Sequence, residues 1–114
     1  MKKTIVCAAA IIFLGKSLLC AGIVIGGEYD KGRDLYNNKC LICHGIKGDG
    51  NGPAAASLNT EPPDFTRTTF WQNNADKKIA ETIRNGYGMM PSFDLKTDEI
   101  KAIIDYMSHT FKRN

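Results

Sequence analysis

Cys40 and Cys43 stand three residues apart, and His44 follows the second of them directly. In a helical turn, residues i and i+3 share one face. Both sulfurs then point the same way, with an imidazole immediately behind them. The rest of the chain offers little else to build on. It has 114 residues, 43% hydrophobic, with four cysteines, which bounds it to one small domain. Cys7 and Cys20 lie in an apolar N-terminal stretch. If that stretch is removed on export, only the Cys40/Cys43 pair stays. A core this small is marginal alone and usually needs a staple. A disulfide across a two-residue spacer closes too small a loop to stabilise much. Another cross-link, or a cofactor, is implied.

The N-terminal stretch reads as a secretory signal peptide. Met1-Lys2-Lys3 is a short positive start, residues 5–14 are apolar or small, and Cys20-Ala21-Gly22 supplies small residues. Cleavage is expected after Ala21 or Gly22, with a later cut after Gly26 as an alternative. The expected division is a signal peptide over 1–22 and one domain over 23–114, exported to the periplasm. Two rival readings exist. Residues 5–25 are long enough to span a bilayer as an uncleaved anchor, although Lys16 near the middle would cost about 2.5–3.5 kcal/mol. Cys20 could instead carry a lipid, although Leu19 stands where that processing wants a small side chain. Lys2, Lys3 and Lys16 account for the whole formal charge of +3. The remaining domain is therefore neutral. It lacks the clustered basic footprint that nucleic acid binding needs. It is expected to meet a membrane only transiently, or through an uncleaved leader.

The order of apolar and breaking residues predicts an all-α domain of three or more helices with long loops. Asp30 is placed to cap a helix over 31–38. Residues 45–52 are turn-rich, and Pro53 suits the start of a short helix over 54–58. A loop over 59–66 leads to an ambiguous stretch around Trp71. Asp76 is placed to cap a helix with Ile79, Ala80 and Ile83 inward, ended by Gly86. After a loop over 87–96, Thr97 is placed to cap the last helix. Its apolar positions are Ile100, Ile103, Ile104, Met107 and Phe111, at helical periodicity. Loops this long in so small a domain usually wrap something.

Cys40-Leu41-Ile42-Cys43-His44 is the attachment pattern for c-type haem. Two sulfurs on one face can bond two vinyl groups on one edge of the porphyrin. His44 can then turn under the ring towards the iron. Rival readings are weaker. A redox C-x-x-C is expected beside a βαβ pattern, and no stretch alternates as a strand should. A structural zinc site needs four ligands, and His109 is far from the other three in sequence. For the second axial ligand, His109 falls opposite the apolar stripe of its helix, and Met107 falls on it as core. The segment Asn85-Gly86-Tyr87-Gly88-Met89-Met90-Pro91-Ser92-Phe93 remains. Its glycines let backbone approach a flat ring, and Pro91 stiffens the chain after Met90. Met90 is expected to ligate iron, with Met89 as its rival. Arg67 and Trp71 could bond haem propionates, or be a solvated Arg and a packed Trp. Asp49 to Gly52 resembles the start of a calcium loop, but Thr60 stands where that loop needs Glu, and the segment is read as a turn.

From about Tyr29 to Phe111 the chain resembles a small class I cytochrome c. The likeness rests on C-L-I-C-H-G at 40–45, G-D-G-N-G-P at 48–53, N-G-Y-G-M-M-P-S-F at 85–93 and T-D-E-I-K-A-I-I-D-Y-M at 97–107. It is similar to soluble bacterial and photosynthetic c cytochromes, and to the haem domains of some oxidases and dehydrogenases. The resemblance implies one covalently attached haem c between His44 and Met90. It implies first and last helices crossing, with Gly32 and Tyr36 meeting Ile103 and Tyr106. It also implies a Pro53 carbonyl accepting from the second nitrogen of His44.

A His/Met haem has both axial positions filled, which blocks small ligands and suits one-electron transfer. The expected function is a monomeric, non-enzymatic periplasmic electron carrier between redox proteins. The alternatives are a haem subunit of a larger respiratory oxidoreductase and a haem-based sensor.

Overall fold

The computed structural model describes residues 27–113. The expected signal peptide, the anchor reading and the lipid site at Cys20 lie outside the described residues. Helix α1 spans Gly27–Lys39, α2 Leu41–His44, α3 Ala75–Asn85 and α4 Thr97–Phe111, with short 3₁₀ turns at Ala55–Ser57 and Thr68–Trp71. This is the all-α architecture expected. Among the described residues the β pairing is an isolated bridge between Tyr87 and Met90. No helix among them is long and apolar enough to cross a membrane.

The apolar stripe of the last segment makes α4 the spine of the core. It buries Ile100, Ala102, Ile103, Tyr106, Met107 and Phe111. Ile104 packs against this core only partly buried. Ala102 and Tyr106 widen the stripe because α1 lies against that side. At the crossing, a Cβ on Gly32 would overlap the Ala102 carbonyl and come 2.9 Å from the Tyr106 Cβ. Gly32 thus meets Tyr106, as expected, and comes nearest the backbone of Ala102, whose small side chain lets the two backbones meet. Tyr36, fully buried, sets its ring 5.5 Å from Tyr106 and 5.2 Å from Phe111.

Each long helix starts earlier, or by another device, than its sequence suggests. Asp30 lies inside the first turn of α1 with Glu28, at the end where the helix dipole favours anions. Its carboxylate pairs with Arg33 at 2.9 Å. Asp76 likewise lies in the first turn of α3, because Ala75 is already buried and Asn74 precedes it in the left-handed region. The start of α4 is secured by Glu99, whose carboxylate accepts from the Lys96 N–H at 2.8 Å. Thr97 is the first helical residue instead of the cap. Gly86 closes α3 as expected, its N–H donating to the Thr82 carbonyl at 2.8 Å.

The crossing sets a first expectation. Gly32→Ala should destabilise the folded protein by about 1–3 kcal/mol, because the helices must part to admit the methyl group. Chemical denaturation measures this, and an unchanged midpoint would contradict it.

Candidate functional site

A four-residue helix carries the chemistry, and its neighbours hold it in shape. The Cys40 N–H donates to the Tyr36 carbonyl at 2.8 Å, which links α1 to α2. The carbonyls of α2 are then taken in turn by backbone N–H groups of the following loop. Gly45 donates to Leu41 at 2.8 Å, Ala54 to Ile42 at 2.8 Å, Gly52 to Cys43 at 3.1 Å and Gly50 to His44 at 3.0 Å. These are the carbonyls a helix end leaves unpaired. Only glycine fits at 52, because a Cβ there would overlap the Ile42 carbonyl. The buried Tyr36 hydroxyl donates to the Gly45 carbonyl at 2.7 Å, which ties the turn after His44 to the α1–α4 crossing.

A cavity of about 550 Å³ opens beside α2, within the range of cofactor sites. Cys40, Cys43, His44 and Met90 all line it, together with Met89 and Met107. Met107 is also core, at 3% exposure. The other residues weighed for a haem role are elsewhere. His109 is exposed, its Nδ1 2.8 Å from the Asp105 carbonyl oxygen. Arg67 is exposed. The Trp71 indole donates to the Phe65 carbonyl at 2.7 Å, as a packed Trp would. Asp49 accepts from the Asn51 N–H at 3.1 Å, in keeping with a turn. Among the described residues no group of three or more His, Cys, Asp or Glu could hold a metal ion, so the zinc alternative finds no ligand set.

The His44 ring stacks on Phe65, with centroids 4.8 Å apart and planes 22° apart. Its Nδ1 is buried without a hydrogen-bond partner. The expected contact with the Pro53 carbonyl is therefore not made. The loop on either side of Pro53 is drawn onto α2 instead, through the N–H groups of Gly52 and Ala54. Burial pushes the His44 pKa below its ordinary value, so the imidazole is neutral and keeps a lone pair. Burial pushes the Cys40 thiol up to about 11, against a smaller opposing pull from Lys39 and with a small push from Cys43. Both thiols are free. Two thiols and a neutral imidazole, on the wall of a largely apolar cavity, fit a flat apolar ring bearing a metal ion.

The methionine loop is fixed by its backbone. Tyr87 and Met90 exchange hydrogen bonds of 3.0 and 2.9 Å, and the Phe93 N–H donates to the Ile83 carbonyl at 2.8 Å. Met90 packs against the core partly buried. Met89 is 49% exposed, and its Sδ accepts from the Asn59 N–H at 3.2 Å. Sequence reasoning missed the stacking by Phe65, the Tyr36–Gly45 bond and the Asn59 contact. A buried tyrosine normally finds a partner for its hydroxyl, which was the one signal available for the second of these.

The family model described as "Cytochrome C oxidase, cbb3-type, subunit III" matches residues 27–107. Two curated relatives are each named cbb3-type cytochrome c oxidase subunit CcoP. The one from an Azospirillum species is 31% identical over 85 residues, covering 71% of this chain and 28% of the relative. The one from Azospirillum brasilense is 30% identical over 82 residues, covering 68% and 27%. The chain thus spans under a third of the length of these subunits. A cytochrome c-553-like protein of Synechocystis is 24% identical over 87 residues, covering 75% of this chain and 71% of that protein. Among solved structures, the KustC0563 c-type cytochrome has a TM-score of 0.59 at 30% identity, covering 72% of this chain and 98% of that one. A chain of the Kuenenia stuttgartiensis reducing HAO-like protein complex Kustc0457/Kustc0458 has a TM-score of 0.64 at 28% identity, covering 75% and 44%.

Tyr36→Phe keeps the ring packing and leaves the Gly45 carbonyl without its donor. It should cost about 1–3 kcal/mol of stability. Denaturation compared with the wild type measures this, and a Phe variant as stable as the wild type would contradict it.

Proposed function

This chain belongs to the cytochrome c family, as a small class I domain of the group described as cytochrome c oxidase, cbb3-type, subunit III, and on that premise we propose that it is a periplasmic one-electron carrier between redox partners. The single observation that carries the reading is the cavity that gathers Cys40, Cys43, His44 and Met90. In this reading Cys40 and Cys43 would tether the haem c of the family through thioethers, and His44 and Met90 would be the residues that hold its iron. When bound, the haem supplies a one-electron iron couple.

The chain's own groups prepare that couple. Burial keeps the His44 imidazole neutral and so able to ligate. Stacking on Phe65 limits rotation of the ring. The Tyr87–Met90 hydrogen bonds hold Met90 by its backbone, so its thioether needs little reordering. A soft thioether favours the reduced metal and raises the potential relative to a second imidazole. With His44 and Met90 both holding the iron, no open position would be left for a small ligand. Ile42, Tyr87 and Met89 line the cavity and are 57%, 82% and 49% exposed. They mark its mouth as an apolar rim, suited to weak and brief docking of a redox partner. Residues 1–22 would act as the export signal and 23–114 as the working domain.

A second reading has its own support. Relatives named as oxidase subunits and a structural neighbour from a multiprotein complex favour a haem subunit of a larger oxidoreductase. Native mass separates the two. A carrier should be recovered from its source as a free haem protein of monomer size, whereas quantitative recovery in a large assembly would favour the subunit.

The ligand assignment is tested by potential. Met90→His should keep covalent haem and lower the midpoint potential markedly, while Met89→Leu should leave it close to the wild type. Redox titration of both variants measures this, and the reverse pattern would move the ligand to Met89.

A further inference from the structure

Met89 and Met90 carry the same chemistry, sit one residue apart and line the same cavity. Their surroundings differ. Met90 has its N–H and its carbonyl both engaged by Tyr87, and its side chain packs on the core. Met89 is half exposed, is not packed into the core, and directs its sulfur to the Asn59 N–H at 3.2 Å. That amide has no other hydrogen-bond partner among the described residues. Leu58, Thr60 and Glu61, on either side of Asn59, line the cavity too. The Met89 sulfur therefore joins the two loops by a hydrogen bond.

We infer that Met89 is a positioning residue: held by the Asn59 amide, its thioether clasps the methionine loop to the 58–61 loop across the cavity mouth and leaves Met90 as the sulfur presented to iron. The inference rests on the reading that haem iron is bound in this cavity. The clasp opposes the loop movement that an outside ligand needs in order to displace Met90. Loss of one neutral hydrogen bond is worth about 1 kcal/mol, or about fivefold in an equilibrium constant.

The test uses the haem-loaded protein and imidazole as the displacing ligand. Met89→Leu should keep the weak long-wavelength sulfur-to-iron band and bind imidazole about fivefold more tightly in the ferric state. In the ferrous state, the Asn59 amide should exchange with solvent faster than in the wild type. Met89→Gln, whose side-chain oxygen can accept from Asn59, should restore both values towards wild type. Wild-type imidazole affinity and wild-type Asn59 exchange in Met89→Leu would overturn the clasp. If Met89→Leu fails to load haem, the wild-type protein still decides, since an Asn59 amide exchanging as fast as free loop amides overturns it. Loss of the sulfur-to-iron band in Met89→Leu would overturn it in a different way, by showing that Met89 is the ligand.

Discussion

Helix α2 has four residues, and helices much shorter than about 12 residues are marginal in water on their own. Yet it must present Cys43 and His44, with Cys40 just before it, in one fixed arrangement. The shape comes from outside. Backbone N–H groups from Gly45, Gly50, Gly52 and Ala54 take the α2 carbonyls, and the Tyr36 hydroxyl takes the carbonyl of Gly45. The loop can lie that close because residue 52 has no side chain. Tyr36 can reach Gly45 because Gly32, one turn earlier, lets α1 settle onto Ala102 and Tyr106. The helix crossing, the glycine-rich loop and the site are thus one connected set of contacts.

This dependence links fold to function. The same α4 residues that form the core, Ile103 and Met107, also line the cavity. A ring held there replaces core that a domain of this size lacks. Burial keeps both the imidazole and the Cys40 thiol uncharged, which is the state suited to a soft, apolar, metal-bearing partner. An electron carrier needs a site that changes little between oxidation states, and the backbone hydrogen bonds on either side of the cavity supply that rigidity.

Local signals in the sequence were read well, and contacts between distant segments were not. The stripe from Ile100 to Phe111 marked α4 because helical periodicity survives in sequence. The C-x-x-C-H pattern at 40–44 marked one wall of the cavity because its geometry is set within a single turn. Gly86, Gly88 and Pro91 marked the methionine loop through their backbone preferences. Helix starts were misplaced where a more distant group made the decision, as with Glu99 reaching back to Lys96. Phe65 beside His44, and Asn59 beside Met89, join segments 21 and 30 residues apart, and no periodicity announces such pairs. The Pro53 contact implied by family resemblance gave way to the hydrogen bonds that its neighbours make with α2.

In the proposed reading a haem would be held covalently by Cys40 and Cys43, with His44 and Met90 as the residues that hold its iron. The most direct measurement is the absorption spectrum of the exported, haem-loaded protein, ferric and ferrous, with and without carbon monoxide. The expected result is a low-spin spectrum with a weak long-wavelength sulfur-to-iron band and no response to carbon monoxide. A high-spin or carbon monoxide-reactive spectrum would contradict it, because the sixth position would then be open and the protein equipped to bind a ligand rather than only pass an electron.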